Sequence, residues 1–313
     1  MINYYDNPKH VNETRSSLFI NPSLSLMIQL SPKWVLNSYT SFNEDFGGIE
    51  AVTKGYMLKT YRTISNNNSP LANTQSLNFS ISTTFKNPVK VLVFNAGLMY
   101  NKTNNNLLHY LLFKGQLDTL VAFLQTNYTK NVSVFSRFNK YIIEWKTSFT
   151  LSANYSAVKQ QQVQQNKLVT FNNQNLKVGV DVNSKISDFI FVEYNLSGLY
   201  LLSGAQFQKG RTRVTTSSQQ FTLNYYPTKA INIRASADHY SLTTGLTEKK
   251  QYFFADAAIR LKPKKSKLDY EIMAQNIFNT KNFIAAIVNN NTQVVSTYQL
   301  RPLQIIAKLG FSF

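Results

Sequence analysis

Leu303-Gln304-Ile305-Ile306-Ala307-Lys308-Leu309-Gly310-Phe311-Ser312-Phe313 closes the chain. In an extended backbone successive side chains point to opposite faces. Leu303, Ile305, Ala307, Leu309, Phe311 and Phe313 then share one face. Gln304, Lys308, Gly310 and Ser312 share the other, with Ile306 the apolar exception. Alternation over about 10 residues is what a strand needs to cross a bilayer. A soluble edge strand has the same pattern, so the reading rests on recurrence.

The pattern recurs along the chain. Leu77, Phe79, Ile81, Thr83 and Phe85 alternate with Asn78, Ser80, Ser82 and Thr84. Leu176, Val178, Val180 and Val182 alternate with Lys177, Gly179, Asp181 and Asn183. Ile231, Ile233, Ala235 and Ala237 alternate with Asn232, Arg234, Ser236 and Asp238. Residues 92–101, 141–155, 253–261 and 268–275 read the same way, and helical periodicity is weak throughout. Many of these runs outlast the five or six residues usual for globular strands. Aromatic residues gather at their ends, at Trp34, Tyr100, Tyr141, Tyr155, Tyr200 and Tyr225-Tyr226, as interfacial girdles do.

Connections alternate in length. Short turns are expected near 31–33, 86–88, 138–140, 184–185, 227–229 and 263–265. Long, asparagine-rich connections are expected near 43–72, 102–117, 157–170, 203–217, 241–250 and 284–296, with the glutamines of 160–165 in a polar loop. Short turns on one side and long loops on the other mark transmembrane barrels. The predicted fold is therefore all-β: an antiparallel transmembrane β-barrel, read as an incomplete wall of about 13 strands. The last strand ends on the short-turn side, and an odd count puts the amino end on the other side, so the chain reads as part of a barrel. Ile233, Ile259, Ile272 and Leu309 are assigned to lipid, and Arg234, Arg260, Glu271 and Lys308 to the lumen.

Composition narrows the function classes. The chain has 313 residues and no cysteine, which excludes disulfides, thiolate metal sites and cysteine nucleophiles. No run of 18 apolar residues is present, so no transmembrane helix is expected. Met1 to Ser31 lacks the basic and apolar regions of a signal peptide, as in a mature form or a downstream piece of a longer chain. The net charge of +18 is spread singly along the sequence, apart from Lys262-Pro263-Lys264-Lys265-Ser266-Lys267. A dispersed charge suits basic turns and rims near anionic lipid, and no nucleic-acid partner is expected.

The carboxy-terminal motifs support a resemblance. Phe253–Lys262 leads through the lysine-rich turn into Leu268–Gln275, then Asn276-Ile277-Phe278-Asn279-Thr280, then Leu300-Arg301-Pro302, then Gly310-Phe311-Ser312-Phe313. This order resembles the end of the barrel in TonB-dependent outer-membrane receptors. The resemblance implies residence in the outer membrane, contact with outer-membrane lipid, and assembly by machinery that reads Phe311 and Phe313. It also implies uptake of a ligand too large for porins, in a parent that carries the remaining barrel, a plug and a TonB contact. Such barrels have roughly 22 strands. The resemblance thus divides the chain into a polar segment or partial strand at 1–20 and barrel at 21–313, with the plug absent. A piece without a plug is not expected to carry out uptake by itself.

Chemistry-bearing clusters are few. His10, His109 and His239 match no metal or triad spacing, and Asp238 and His239 are strand neighbours that point to opposite faces. No enzyme and no cofactor is expected. Arg234, Asp238, Asp256, Arg260, Asp269, Glu271 and Lys308 share the polar phase of successive strands, as a lumen-facing charged wall. Such a wall satisfies its own charges with ion pairs or meets a plug or a passing ligand. A soluble or surface-attached β-sandwich binding module, also without enzymatic activity, stays open as the second class.

Overall fold

A computed structural model describes residues 2–6, 11–15, 18–46, 55–67, 71–114, 117–164, 167–206, 210–245, 247–263, 266–289 and 292–311. β1 (Ile2–Asp6) and β2 (Val11–Arg15) form a hairpin of their own. Then follow β3 (Ser23–Ser31), β4 (Trp34–Asp45), β5 (Gly55–Leu58), β6 (Thr63–Asn67), β7 (Thr74–Asn87), β8 (Leu92–Lys114) and β9 (Leu117–Ile142). Next come β10 (Thr147–Gln164), β11 (Lys167–Lys185), β12 (Ile190–Ala205), β13 (Arg211–Thr228) and β14 (Ile231–Thr244). The chain continues through β15 (Thr247–Leu261), β16 (Leu268–Gln275), β17 (Asn282–Asn289) and β18 (Thr292–Gln299) to β19 (Gln304–Phe311).

One antiparallel path of thirteen strands runs β3-β4-β7-β8-β9-β10-β11-β12-β13-β14-β15-β16-β19. Each strand pairs with its neighbour in sequence once the two inserted hairpins, β5–β6 and β17–β18, are set aside. Among the described residues β3 and β19 are free edges, and the wall does not close.

Through the middle of the wall the register carries the two phases from strand to strand; its shifts fall near the rims, at Gln29–Ser31, Tyr225–Thr228 and Leu242–Thr244, and in the upper part of β8 at Asn105–Leu107. On one face Leu151, Val180 and Leu196 stand in one row, and Tyr225, Ile233, Ile259, Ile272 and Ala307 in another. On the other, Asn139, Thr150, Asp181, Asn195, Gln220 and Asp238 are neighbours. The apolar face is bare: Ile259 is 48% exposed, Ile272 56% and Leu309 67%. A soluble sandwich would cover such a face with a second sheet, and among the described residues none does so.

Aromatic rings mark two levels of the apolar face. Trp34, Phe85, Phe94 and Phe138 lie in register across four strands near the short-turn rim, with Trp34 and Phe85 4.8 Å apart. Tyr100, Tyr155 and Tyr200 lie eight to ten residues up their strands. On β8 Tyr100 stands six residues above Phe94, which at about 3.3 Å per residue and a tilt of about 40° is roughly 15 Å, inside a barrel's apolar band of about 25 Å. Tyr141 does not belong to the girdle. It pairs with Ser148 on the polar phase.

The expected boundaries differ from the observed ones at one turn and at every long connection. Strands occupy 43–45, 55–58 and 63–67 of the region 43–72, 203–205 and 211–217 of 203–217, 241–244 and 247–250 of 241–250, and 284–289 and 292–296 of 284–296. The run 141–155 is not one strand: the chain turns at Ile143–Lys146, with Lys146 at φ 47°, and 138–140 lies inside β9. The regions 102–117 and 157–170 are not loops but the upper parts of paired strands, so β8 and β9 reach 23 and 26 residues. Polar side chains hold these extensions by bridging strands. Asn127 Nδ2 donates to the Leu107 carbonyl at 2.7 Å, Thr74 Oγ1 donates to Asn105 Oδ1 at 2.9 Å, and Gln161 Oε1 accepts from the Tyr128 N–H at 3.2 Å. Asparagine and glutamine without an apolar phase read as loop, yet their amides pair across a ladder that the lower half has already registered. Above the reach of β10, β6 takes its place and pairs in parallel with β9, Thr63 opposite Asp118.

Candidate functional site

The seven predicted charges all fall on the polar phase, at the carboxy-terminal end of the wall. Arg260, Glu271 and Lys308 are direct cross-strand neighbours on β15, β16 and β19. Arg260 forks onto Asp269: Nε lies 2.9 Å from each carboxylate oxygen, and Nη2 also donates to Oδ2. Lys308 Nζ stands 3.7 Å from Glu271 Oε2. These four residues pair among themselves, as a wall that satisfies its own charges should.

The other three do something else. Asp256 is taken by the backbone, accepting the Asn276 N–H at 2.8 Å. Asp238 faces Gln220 across the ladder and has one buried carboxylate oxygen without a partner. Arg234 has no ion-pair partner among the described residues and lines one hollow with Asn232, Arg260, Lys262 and Glu271. It also borders a second, with Ser236, Asp256, Met273 and Gln275.

Register assembles a further cluster that the sequence alone did not show. Arg137 of β9, Asp181 of β11 and Glu193 of β12 line one hollow with Asn183, Asn195 and Gln220. Asn195 Nδ2 donates to Asp181 Oδ1. Each lies on the polar phase of its own strand, which is the signal available in advance. Their meeting depends on strand pairing, which no single strand encodes.

Two more features of this face emerged only from the structure. The β17–β18 hairpin folds onto the polar face near the long-hairpin rim. That face turns apolar there to receive it: Val214 is 3% exposed and Leu242 2%, packed with Leu201, Tyr240, Ile284 and Ala286. Phe283 sits 5.0 Å from the ring of Tyr240 and 5.1 Å from that of Tyr252, whose hydroxyl accepts the Ile284 N–H at 3.2 Å.

The second feature is a clasp at the feet of that hairpin. Asn276 and Asn279 adopt left-handed φ values of 54° and 53°, a conformation asparagine tolerates better than most residues. The Asn276 amide donates to the carbonyls of Thr280 (2.9 Å) and Arg301 (2.8 Å), and its oxygen accepts the Thr280 N–H at 2.9 Å. Asn279 Oδ1 accepts the Leu303 N–H at 3.4 Å. The motif that carried the resemblance is thus a staple holding both ends of the insertion. Asn276→Ala removes three hydrogen bonds, each of net value about 0.5–1.5 kcal/mol. Unfolding by urea in detergent should show a loss of about 1.5–4.5 kcal/mol, with new proteolysis between Thr280 and Arg301. Unchanged stability would mean that the staple is incidental.

No group of three metal-ligating side chains occurs among the described residues. His239 stacks on Phe253 at 4.4 Å on the apolar face, opposite Asp238 as expected. His109 lies on the upper part of β8, and His10 lies outside the described residues. Phe311 pairs with Leu268 at the short-turn rim, 56% exposed, with Lys267 Nζ 5.9 Å from its ring centre. Phe313 lies outside the described residues. Among the described residues no helix is long and apolar enough to cross a membrane, which says nothing about crossing by strands.

No model of a known protein family matches the chain, and no curated protein does. Solved structures do. The chain is similar to the siderophore receptor PiuA from Acinetobacter baumannii, with a TM-score of 0.50 and 8% identity over 85% of this chain and 48% of that one. It also matches BauA, the ferric preacinetobactin receptor of the same organism (TM-score 0.48, 10% identity, 88% and 49% covered). The copper transporter OprC follows (TM-score 0.47, 7% identity, 82% and 42% covered). The chain spans about half the length of the solved receptors it matches. At this identity the likeness to PiuA shows the fold alone: the antiparallel wall of an outer-membrane β-barrel, here unclosed. Solved receptor structures are thus among those whose fold the chain shares.

Proposed function

We propose that this chain forms the carboxy-terminal part of the barrel of a TonB-dependent-receptor-like transporter in the outer membrane. The observation that carries this reading is the separation of the two faces through the middle of thirteen strands, with the apolar one uncovered among the described residues. The apolar face meets lipid and the polar face lines the lumen. Arg234, Asp238, Asp256, Arg260, Asp269, Glu271 and Lys308 form the charged wall of that lumen. Arg260–Asp269 and Glu271–Lys308 keep the wall satisfied, while Arg234 stays available to a plug or a passing ligand. Uptake belongs to the complete parent, with its plug and its TonB contact, and this part has no enzymatic role and does not transport alone.

The test is fractionation. Expressed in a Gram-negative host with an export signal, the protein should stay with outer membranes through a urea wash and leave only with detergent. Release by urea alone would favour the soluble binding module. The outermost residues should also carry the assembly instruction. Joined to a complete upstream barrel, Phe313→Ser should lower outer-membrane levels well beyond Phe253→Ser, although each change removes one ring. Equal levels would reduce Phe313 to an ordinary interfacial aromatic.

A further inference from the structure

Three lysines stand side by side on the apolar face. Lys102 of β8 is directly opposite Lys130 of β9, and Lys130 is directly opposite Lys159 of β10. They share the phase of Tyr100, Val132 and Ala157, which form the next row toward the short turns. Asn104 and Tyr128 stand in the row beyond. The lysines thus lie where this face passes from apolar to polar. They are ten, twelve and twelve residues from the short-turn ends of their strands, about the length with which a strand crosses a bilayer. On the membrane reading above, that is the headgroup layer at the long-hairpin rim.

Like charges directly opposite one another repel. Among the described residues none of the three lysines has an ion-pair partner. Glu44, on the same face, stands two strands from Lys102 and one row higher, and its carboxylate already accepts from Asn73 at 3.0 Å and Gln75 at 3.1 Å. Lys130 Nζ lies 5.1 Å from the ring centre of Tyr128, on the long-hairpin side of the row. The outer two strands are about 10 Å apart, so three flexible stems can bring their ammonium groups onto one anion. A phosphomonoester offers three free oxygens and a charge of about −1.5 to −2, where a phosphodiester offers two oxygens and a single charge. We infer that Lys102, Lys130 and Lys159 hold the phosphomonoester of one lipid headgroup in that layer. This rests on the membrane reading and goes beyond it, because a diffuse basic rim prefers no headgroup over another of equal charge.

The chain has no cysteine, so a fluorophore can be attached at Ala157→Cys, in the row beneath the lysines, and in a second protein at Ala255→Cys, on the same face of β15 opposite Ala237. Both are refolded into phosphatidylcholine vesicles with a minor share of phosphatidic acid, a monoester, or phosphatidylglycerol, a diester, at equal surface charge. Bromine on the acyl chains of one lipid at a time reports by quenching which lipid stands beside the probe. Phosphatidic acid should be enriched over phosphatidylglycerol about fivefold at 157 and not at all at 255. Lys102→Gln combined with Lys130→Gln should remove that preference, while brominated phosphatidylcholine still quenches at 255 and so shows that the variant inserts. Excess inorganic phosphate should leave the preference in place; its loss would overturn the assignment to a lipid in favour of a free anion. Equal enrichment of the two lipids at 157, the same preference at 255, or a preference that survives the double change would overturn the site. Absence of quenching at 255 by brominated phosphatidylcholine in the unsubstituted background would overturn the membrane reading and the site with it.

Discussion

Leu196→Arg should cost about 2–4 kcal/mol of stability in a bilayer, whereas Ser197→Arg, one residue along the same strand, should cost far less. Leu196 stands six residues from the start of β12, between Val180 and Gln219 on the apolar face. That places it about half way up an apolar band of about 25 Å. A guanidinium there must be drawn into hydrocarbon or must thin the bilayer around it. Ser197 faces the other way, between Gly179 and Ser218. Those small neighbours leave room for an arginine in a polar surrounding. Depth should matter on the apolar face alone. Ile259 lies two residues from the end of β15, so Ile259→Arg should cost only about 0–1 kcal/mol. Denaturant titration of the three variants in vesicles checks the order. Equal costs at 196 and 197 would remove the basis for assigning the faces.

Leu242→Ala should have an effect of similar size by another route. Leu242 is 2% exposed and forms the seat of the β17–β18 hairpin with Val214. Truncating a buried leucine removes its transfer energy and leaves a cavity, about 2–5 kcal/mol together. Much of that loss should appear as undocking of the hairpin rather than as failure of the wall. A single cysteine at Ala286, which packs against the seat, should then react faster with a bulky maleimide in the Leu242→Ala background. The reactivity of a cysteine at Leu196 should not change. If both sites respond alike, the seat belongs to the wall as a whole.

Much of this fold was readable one strand at a time. The two-residue phase of Leu176–Asn183 or Ile231–Asp238 states which side chains share a face, and pairing kept those phases intact. The approximate strand number followed from the same rhythm, and the free edges agree with it. Strand ends were less legible. Asn105, Asn127 and Gln161 carry no apolar phase, and only their cross-strand partners show that they belong to ladders. The charged wall was half legible. Each residue's face could be assigned, but the fork of Arg260 on Asp269 and the meeting of Arg137, Asp181 and Glu193 depend on register. The hairpin seat was not legible at all. Val214 and Leu242 interrupt the polar phase of their strands and read as noise until Ile284 and Ala286 are seen against them.

The most direct measurement is lipid quenching along β12. Single cysteines at each position from Tyr194 to Leu199 carry a fluorophore, in vesicles whose acyl chains bear bromine. The account predicts a two-residue alternation: strong quenching at Tyr194, Leu196 and Gly198, and weak quenching at Asn195, Ser197 and Leu199. Uniform quenching, or alternation in the opposite phase, would contradict it.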